Sequence, residues 1–92
     1  MIIGAKEIFK EMILKFGDKQ VVVAIEELSE LQKELCKNLR GKENASEVAE
    51  EIADVYIMLE QMKIWCNISE EEIQDKIEEK LKRTKERYLS GN

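Results

Sequence analysis

The chain has 92 residues, of which 43% are hydrophobic and 38% are charged, and its formal net charge is −5. This length allows one small domain, residues 1–92, which would bury only about 60–65% of its unfolded surface. The hydrophobic content excludes a disordered protein, and the negative charge disfavours a surface that binds nucleic acid. Because no signal-peptide pattern is present and the longest apolar run, residues 55–59, is too short to span a bilayer, we expect a cytoplasmic protein without membrane contact.

Apolar residues that recur at three- and four-residue steps predict four helices and an all-α fold. The chain has no proline and 4 glycines, which favours helix throughout. We expect helices at residues 5–16, about 19–39, about 47–65, and from a cap at Ser69 to about Tyr88. A lone subunit of this size would be marginally stable, so we expect a four-helix bundle completed by oligomerisation.

The predicted core consists of one apolar stripe on each of the first three helices. On the first helix the inward-facing residues would be Ile8, Phe9, Met12, Ile13 and Phe16. The stripes of the second and third helices are Val21, Ile25, Leu28, Leu31 and Leu35, and Val48, Ile52, Val55, Leu59 and Met62. The third stripe is widened by Ala49, Ala53, Tyr56 and Ile57. A stripe this wide exceeds what one partner helix covers, so the third helix should also contact another subunit.

Short polar residues mark the helix ends. Gly17 is expected to end the first helix, and Ser69 with Glu72 matches a capping box for the fourth. Asp18, Asn44 and Ser46 are competent N-caps. The two cysteines, Cys36 and Cys66, lack metal-site spacing, and we expect buried thiols in a reducing compartment.

Acidic residues at helical spacing form two candidate metal-ligating pairs. Glu27 with Glu30 would share one face of the second helix, and Glu51 with Asp54 one face of the third. In an antiparallel helix pair the four carboxylates can face each other, where they repel unless they are protonated or share a cation. Oxygen ligands suit Mg2+ or Mn2+, and the absence of histidine excludes a Glu-x-x-His di-iron site. Such acidic patterns also arise on ordinary solvated helix faces.

The two acidic motifs resemble a known family. E-E-L-S-E at 26–30 and E-I-A-D at 51–54 look like the EExxE…ExxD signature of the MazG-like all-α nucleoside triphosphate pyrophosphohydrolases. The 20 residues between them (31–50) are a suitable length for that family. F-G-D-K-Q at 16–20, L-R-G at 39–41, D-V-Y-I-M-L-E-Q-M at 54–62 and K-L-K-R-T-K-E-R at 80–87 are similar to small phage and Firmicute members. Some relatives carry asparagine where this chain has Thr84.

The resemblance implies a MazG-like bundle that cleaves nucleoside triphosphates between the α- and β-phosphates, releasing the monophosphate and pyrophosphate. It also implies Mg2+, with Mn2+ as a substitute, and the site residues follow by position. The metal ligands would be Glu27, Glu30, Glu51 and Asp54. Either Glu26 or Glu50 would be the base or would support the ligands from outside the coordination sphere. Lys80, Arg83 and Arg87 would meet the substrate phosphates, although a solvated basic helix end explains them equally well.

Candidates for base recognition are weaker. Trp65, Tyr56 and Phe9 offer flat faces for stacking, but aromatic residues at helical spacing more often belong to a core. Gln20 and Gln61 could hydrogen bond a base or lie on the surface.

Two alternatives remain open from the sequence. A phosphoribosyl-ATP pyrophosphohydrolase shares the implied fold and reaction, and an antitoxin- or adaptor-like helical interaction module would use the acidic face for docking without metal. For the enzyme we expect a homodimer or homotetramer that binds neither nucleic acid nor membrane. The position of Glu51 and Asp54 in a largely apolar helix favours the enzyme, because a docking surface does not need it.

Overall fold

The computed structural model describes residues 5–89, and every element of secondary structure in this range is a helix. Helix α1 spans Lys6–Phe16, α2 Lys19–Leu39, α3 Ala45–Trp65 and α4 Glu70–Thr84, and a π-helical turn, Lys85–Leu89, continues α4. The prediction of an all-α fold with four helices is confirmed. No helix in the described range is long and apolar enough to cross a membrane.

Residues with positive φ end the first three helices. Gly17, at φ 57°, follows α1 and donates its N–H to Ile13 O at 2.8 Å, so the predicted cap is confirmed. Gly41, at φ 96°, follows α2 and donates to Asn38 O at 2.9 Å. A side chain is disfavoured in this left-handed region, which explains glycine at both positions.

The end of α3 carries a Schellman motif built on Asn67, at φ 55°. The Ile68 N–H donates to Lys63 O at 2.8 Å and the Asn67 N–H to Ile64 O at 3.1 Å. These bonds satisfy carbonyls that the helix end would otherwise leave free. The chain therefore turns sharply between α3 and α4.

The predicted N-caps differ in outcome. Ser69 Oγ accepts from the Glu72 N–H at 3.1 Å and caps α4 as predicted. Asp18 and Asn44 occupy the N-cap positions of α2 and α3, but their side chains accept no hydrogen bond from the helix. Asn44 is instead turned into the protein, with 1% of its surface exposed.

The core lies among α1, α2 and α3. Helices α2 and α3 pack along most of their length, and α1 packs mainly on α3 and less on α2. Cross-helix hydrogen bonds from Gln20 to Gln61 and from Asn44 to Glu34 show that α2 and α3 are antiparallel. The buried apolar side chains are Phe9, Ala24, Val55 and Met58.

Helix α4 projects from this three-helix unit as an arm. Its extensive close contacts within the described chain are with its own π-helical continuation, and none of its residues is fully buried. At its base Lys63 forms ion pairs with Glu60, at 2.6 Å, and with Glu70. The radius of gyration, 16.1 Å, exceeds the roughly 12 Å of a compact chain of this length.

Part of the predicted core faces outward in the single chain. Six large apolar or aromatic side chains on α2 and α3, which we call the outer stripe, are 37% to 59% exposed: Ile25, Leu28, Leu35, Ile52, Tyr56 and Leu59. The expectation that the third helix contacts another subunit stays a prediction. The prediction that Ile8 and Phe16 of α1 face inward is wrong for one subunit. Hydrophobic periodicity identifies a face to be covered but not what covers it.

The cysteines also depart from expectation. Cys36 and Cys66 are free thiols, but both are exposed. The prediction that they are buried is wrong: Cys36 lies in the last turn of α2 and Cys66 directly follows α3, and neither is covered within the described chain.

Candidate functional site: a carboxylate cluster between α2 and α3

Three of the four predicted ligands converge where α2 and α3 face each other. Glu27 of α2 and Glu51 and Asp54 of α3 each contribute a carboxylate oxygen, and the three atoms lie within 4.8 Å of one another. We call these three residues the acidic cluster. Glu51 and Asp54 share a face because they are three residues apart on one helix, and the antiparallel packing brings Glu27 opposite them.

The cluster is partly removed from water. Glu27 and Glu51 are half-buried, whereas Asp54 is exposed. Glu51 Oε2 is buried and has no hydrogen-bond partner among the described residues. A buried polar atom without a partner costs free energy, so this oxygen is suited to a ligand that the protein alone does not supply.

Both half-buried acids hold their protons more tightly than an ordinary glutamate. Burial raises the pKa of Glu27, and the neighbouring Asp54 carboxyl raises it further through a hydrogen bond and its negative charge. Burial also raises the pKa of Glu51, followed by the charges of Asp54, Glu30, Glu34 and Glu50. The site therefore disfavours negative charge unless a cation balances it.

The remaining predicted acids surround the cluster. Glu30 lies on α2 outside the three-residue group and is exposed, but its charge raises the pKa of both Glu27 and Glu51. Glu26 and Glu50, the two candidate bases, are also exposed on α2 and α3. All three glutamates can therefore contact water. Of the two candidate bases, Glu50 but not Glu26 is among the charges that raise the pKa of Glu51.

Glu34 is an additional acid that the sequence analysis did not single out. Its Oε1 accepts from Asn44 Nδ2 at 2.9 Å and its Oε2 from Lys37 Nζ at 3.1 Å. These two donors hold the pKa of Glu34 below its usual value. The available signal was its position seven residues, or two turns, after Glu27, which places both on one face of α2.

The three predicted phosphate-binding residues lie together on the arm. Lys80, Arg83 and Arg87 line one exposed, shallow pocket with Thr84 and Tyr88. No residue of the acidic cluster lines that pocket. Within the described part of a single chain, the basic residues and the cluster thus belong to separate surfaces.

The candidates for base recognition are divided by burial. Phe9 is buried, as expected of a core residue, whereas Tyr56 and Trp65 are 41% and 44% exposed, so the expectation of core positions is wrong for these two. Gln20 and Gln61 are both buried. Gln20 Nε2 donates to Gln61 Oε1 at 2.7 Å, and the amides face each other.

The donor set fits a hard divalent cation. All three atoms of the cluster are carboxylate oxygens, the ligand type of Mg2+, Mn2+ and Ca2+. The unpartnered oxygen of Glu51 is free to coordinate a cation, and the exposure of Asp54 leaves the cluster open to solvent. The cluster can therefore hold a cation that remains accessible from outside.

Comparisons with known proteins gave no match: no family model matches the chain, and neither do the curated proteins or the solved structures that were searched.

Proposed function

We propose that the protein is a Mg2+-dependent nucleoside triphosphate pyrophosphohydrolase that cleaves between the α- and β-phosphates and also accepts Mn2+. The observation that carries this proposal is the acidic cluster, with three carboxylate oxygens within 4.8 Å and a buried, unpartnered oxygen on Glu51. Carboxylates so placed repel each other without a shared cation. The choice of reaction is supported by the resemblance of the two acidic motifs to the MazG-like family.

In this proposal Glu27, Glu51 and Asp54 bind the cation, and Glu30, which adjoins them, completes the protein ligands. When bound, the cation neutralises phosphate charge and lowers the pKa of a coordinated water. Glu26 or Glu50 would accept the proton of the attacking water, since both are exposed and each directly precedes a cluster residue in the chain. The half-buried position of Glu51 limits competing water and strengthens its electrostatic interactions.

In this proposal Lys80, Arg83 and Arg87 bind the substrate phosphates. The outer stripe forms the contact between subunits. The six exposed apolar side chains of the stripe support a homodimer or homotetramer, because water disfavours such a surface. A second copy would also supply an arm whose basic residues could meet phosphates held at the cluster. We place the protein in the cytoplasm, where its exposed, free thiols remain reduced.

A helical interaction module is the second candidate, and the outer stripe is the observation that favours it. An adaptor would use these exposed apolar residues to bind a different protein. It would gain nothing from the unpartnered oxygen of Glu51. Metal binding and hydrolysis therefore separate the two candidates.

The deciding experiment measures pyrophosphate release from a panel of NTPs and dNTPs with Mg2+. Wild type is compared with Glu51→Gln, which keeps the size of the side chain and removes its charge. Glu47→Gln is the matched control, because Glu47 is exposed on the same helix, outside the cluster and not among the charges that raise the Glu51 pKa. We expect the loss of one ligand to lower kcat/KM by about 100-fold or more, as for other charge-stabilising groups. Absence of wild-type activity on every nucleotide would support the interaction module.

A further inference from the structure

The buried amide pair between α2 and α3 is unexpected in a small core. Gln20 Nε2 donates to Gln61 Oε1 at 2.7 Å, and the two residues are only 6% and 3% exposed. Gln61 Nε2 also approaches Met58 Sδ, at 3.7 Å. Replacing both amides with apolar side chains of the same shape would cost little stability or even increase it. Folding stability alone therefore does not account for the pair.

The amide pair and the acidic cluster follow one register. Glu27 lies seven residues after Gln20, and Asp54 lies seven residues before Gln61. Seven residues are close to two helical turns, so each amide shares a helix face with its acid. Since α2 and α3 are antiparallel, the alignment that joins Gln20 to Gln61 also puts Glu27 opposite Asp54.

The acidic cluster forms only when α2 and α3 are aligned in this register. A slip of one helical turn moves one helix along the other by about 5.4 Å. That distance exceeds the 4.8 Å within which the three carboxylate oxygens lie. Without a cation, repulsion between the acids favours any slip or separation that moves them apart.

The apolar contacts of the same interface select the register only weakly. Ala24 of α2 and Val55 and Met58 of α3 are buried, but burial of apolar surface is not directional. A hydrogen bond between two buried amides is directional, and a slip would leave both amides unpaired in the core. The pair therefore penalises wrong alignments, as single buried polar residues do in coiled coils.

We propose that Gln20 and Gln61 are a positioning pair that fixes the register of α2 against α3 and so assembles the cation site. The inference rests on the proposed function insofar as the acidic cluster binds a cation. It assigns the two residues no contact with substrate. They act through the position of Glu27 relative to Glu51 and Asp54.

The test replaces both glutamines with methionine, which is similar in length and forms no comparable hydrogen bond. Mn2+ affinity is measured by titration, and thermal unfolding is measured in EDTA. Gln32→Met is the control, because Gln32 is exposed on α2. We expect the double variant to be as stable as wild type or more so, and to bind Mn2+ about tenfold or more weakly, as when other supporting residues of metal sites are lost. A role in stability alone would instead lower the unfolding temperature.

Mn2+ affinity within twofold of wild type in the stable double variant would overturn the inference. If wild type itself does not bind Mn2+, the proposed function fails. The register role of Gln20 and Gln61 is then tested by comparing crystal structures of the metal-free wild type and double variant. A changed alignment of Glu27 and Asp54 in the double variant would support the register role, and an unchanged alignment would refute it. If the double variant does not fold, Gln20→Met is measured in the same way.

Discussion

Asn44 and Glu34 are joined twice, although ten residues separate them in the chain. Asn44 Nδ2 donates at 2.9 Å both to the backbone oxygen and to the side-chain Oε1 of Glu34. Asn38 Nδ2 in turn donates to Asn44 Oδ1 at 3.3 Å. Asn44 thus ties the connection between α2 and α3 onto α2 and holds an anionic side chain beside Glu51.

Replacing Asn44 with alanine should lower the free energy of unfolding by about 2–3 kcal/mol, because three side-chain hydrogen bonds of this buried residue, two to Glu34 and one from Asn38, are lost. Urea unfolding measures the change. Ser46→Ala is the control, since Ser46 is exposed in the first turn of the same helix and should change stability by less than about 0.5 kcal/mol. Equal effects of the two substitutions would show that the contacts of Asn44 contribute nothing.

The metal-free protein should lose stability as the pH rises through the pKa of Glu51. That pKa is raised above 4.5 in the folded chain, so folding favours the protonated acid. Its contribution is fully present below pH 4.5 and disappears above the raised value. Glu51→Gln cannot ionise, so in EDTA it should be more stable than wild type at pH 7 and similar to it near pH 4.

Urea unfolding in EDTA at several pH values measures this difference. The same difference between wild type and variant at every pH would contradict the assignment of a raised pKa to Glu51. Glu34 contributes in the opposite direction in both proteins. Its lowered pKa stabilises the fold above pH 4.5, and this stability is lost as the pH falls from 4.5 through the lowered pKa of the folded state.

Mn2+ or Mg2+ should stabilise the folded protein. At a concentration about 100 times Kd, binding to the folded state alone adds about 2.7 kcal/mol. For a domain of this size that raises Tm by roughly 10–20 °C. The same addition to Asp54→Asn should have a much smaller effect, because one ligand loses its charge.

Scanning calorimetry with and without the metal measures both proteins, and Glu47→Gln again serves as the matched control. If Asp54→Asn were stabilised as strongly as wild type, the cation would bind elsewhere.

Self-association of the protein should depend on the apolar side chains of the outer stripe. Ile25→Asp places a charge where wild type has an exposed isoleucine, and we expect at least tenfold weaker self-association, since burying such a side chain contributes about 1.5–3 kcal/mol. Sedimentation measures the mass. Leu14→Asp is the control, because Leu14 is 86% exposed on α1, away from the stripe. A wild-type monomer at tens of micromolar would contradict the proposed oligomer.

The helices and the acidic pairs were predictable because their signals are local. The end of α1 follows from Gly17 and the start of α4 from Ser69, each of which satisfies backbone groups within one turn. Glu51 and Asp54 share a face in any helix. Their meeting with Glu27 depends in addition on antiparallel packing, which the short connection between the two helices favours, and on the register of the pair, which local spacing does not specify.

The other contacts depend on tertiary packing, which local spacing does not specify. The helical spacing of Ile25 and Leu59 indicates that they lie on an apolar face. It does not indicate whether the same chain or a second chain buries that face. The sequence allows the side chain of Asn44 to cap α3, but in the structure this side chain forms its hydrogen bonds with residues of α2 instead. Local sequence does not predict the Gln20–Gln61 pair either, since each glutamine considered alone is an ordinary polar residue on a helix.

Because a single turn at Asn67 connects the arm to α3, a small rotation at this turn moves the far end of the arm by a large distance. From Glu70 to the end of the π-helical turn at Leu89 it is roughly 30 Å long, and Lys63 anchors only its base. A rotation of about 10° at the turn would therefore carry Arg87 through roughly 5 Å. A small change in backbone angles at one residue is thus enough to advance or withdraw the basic end by more than the length of an ion pair.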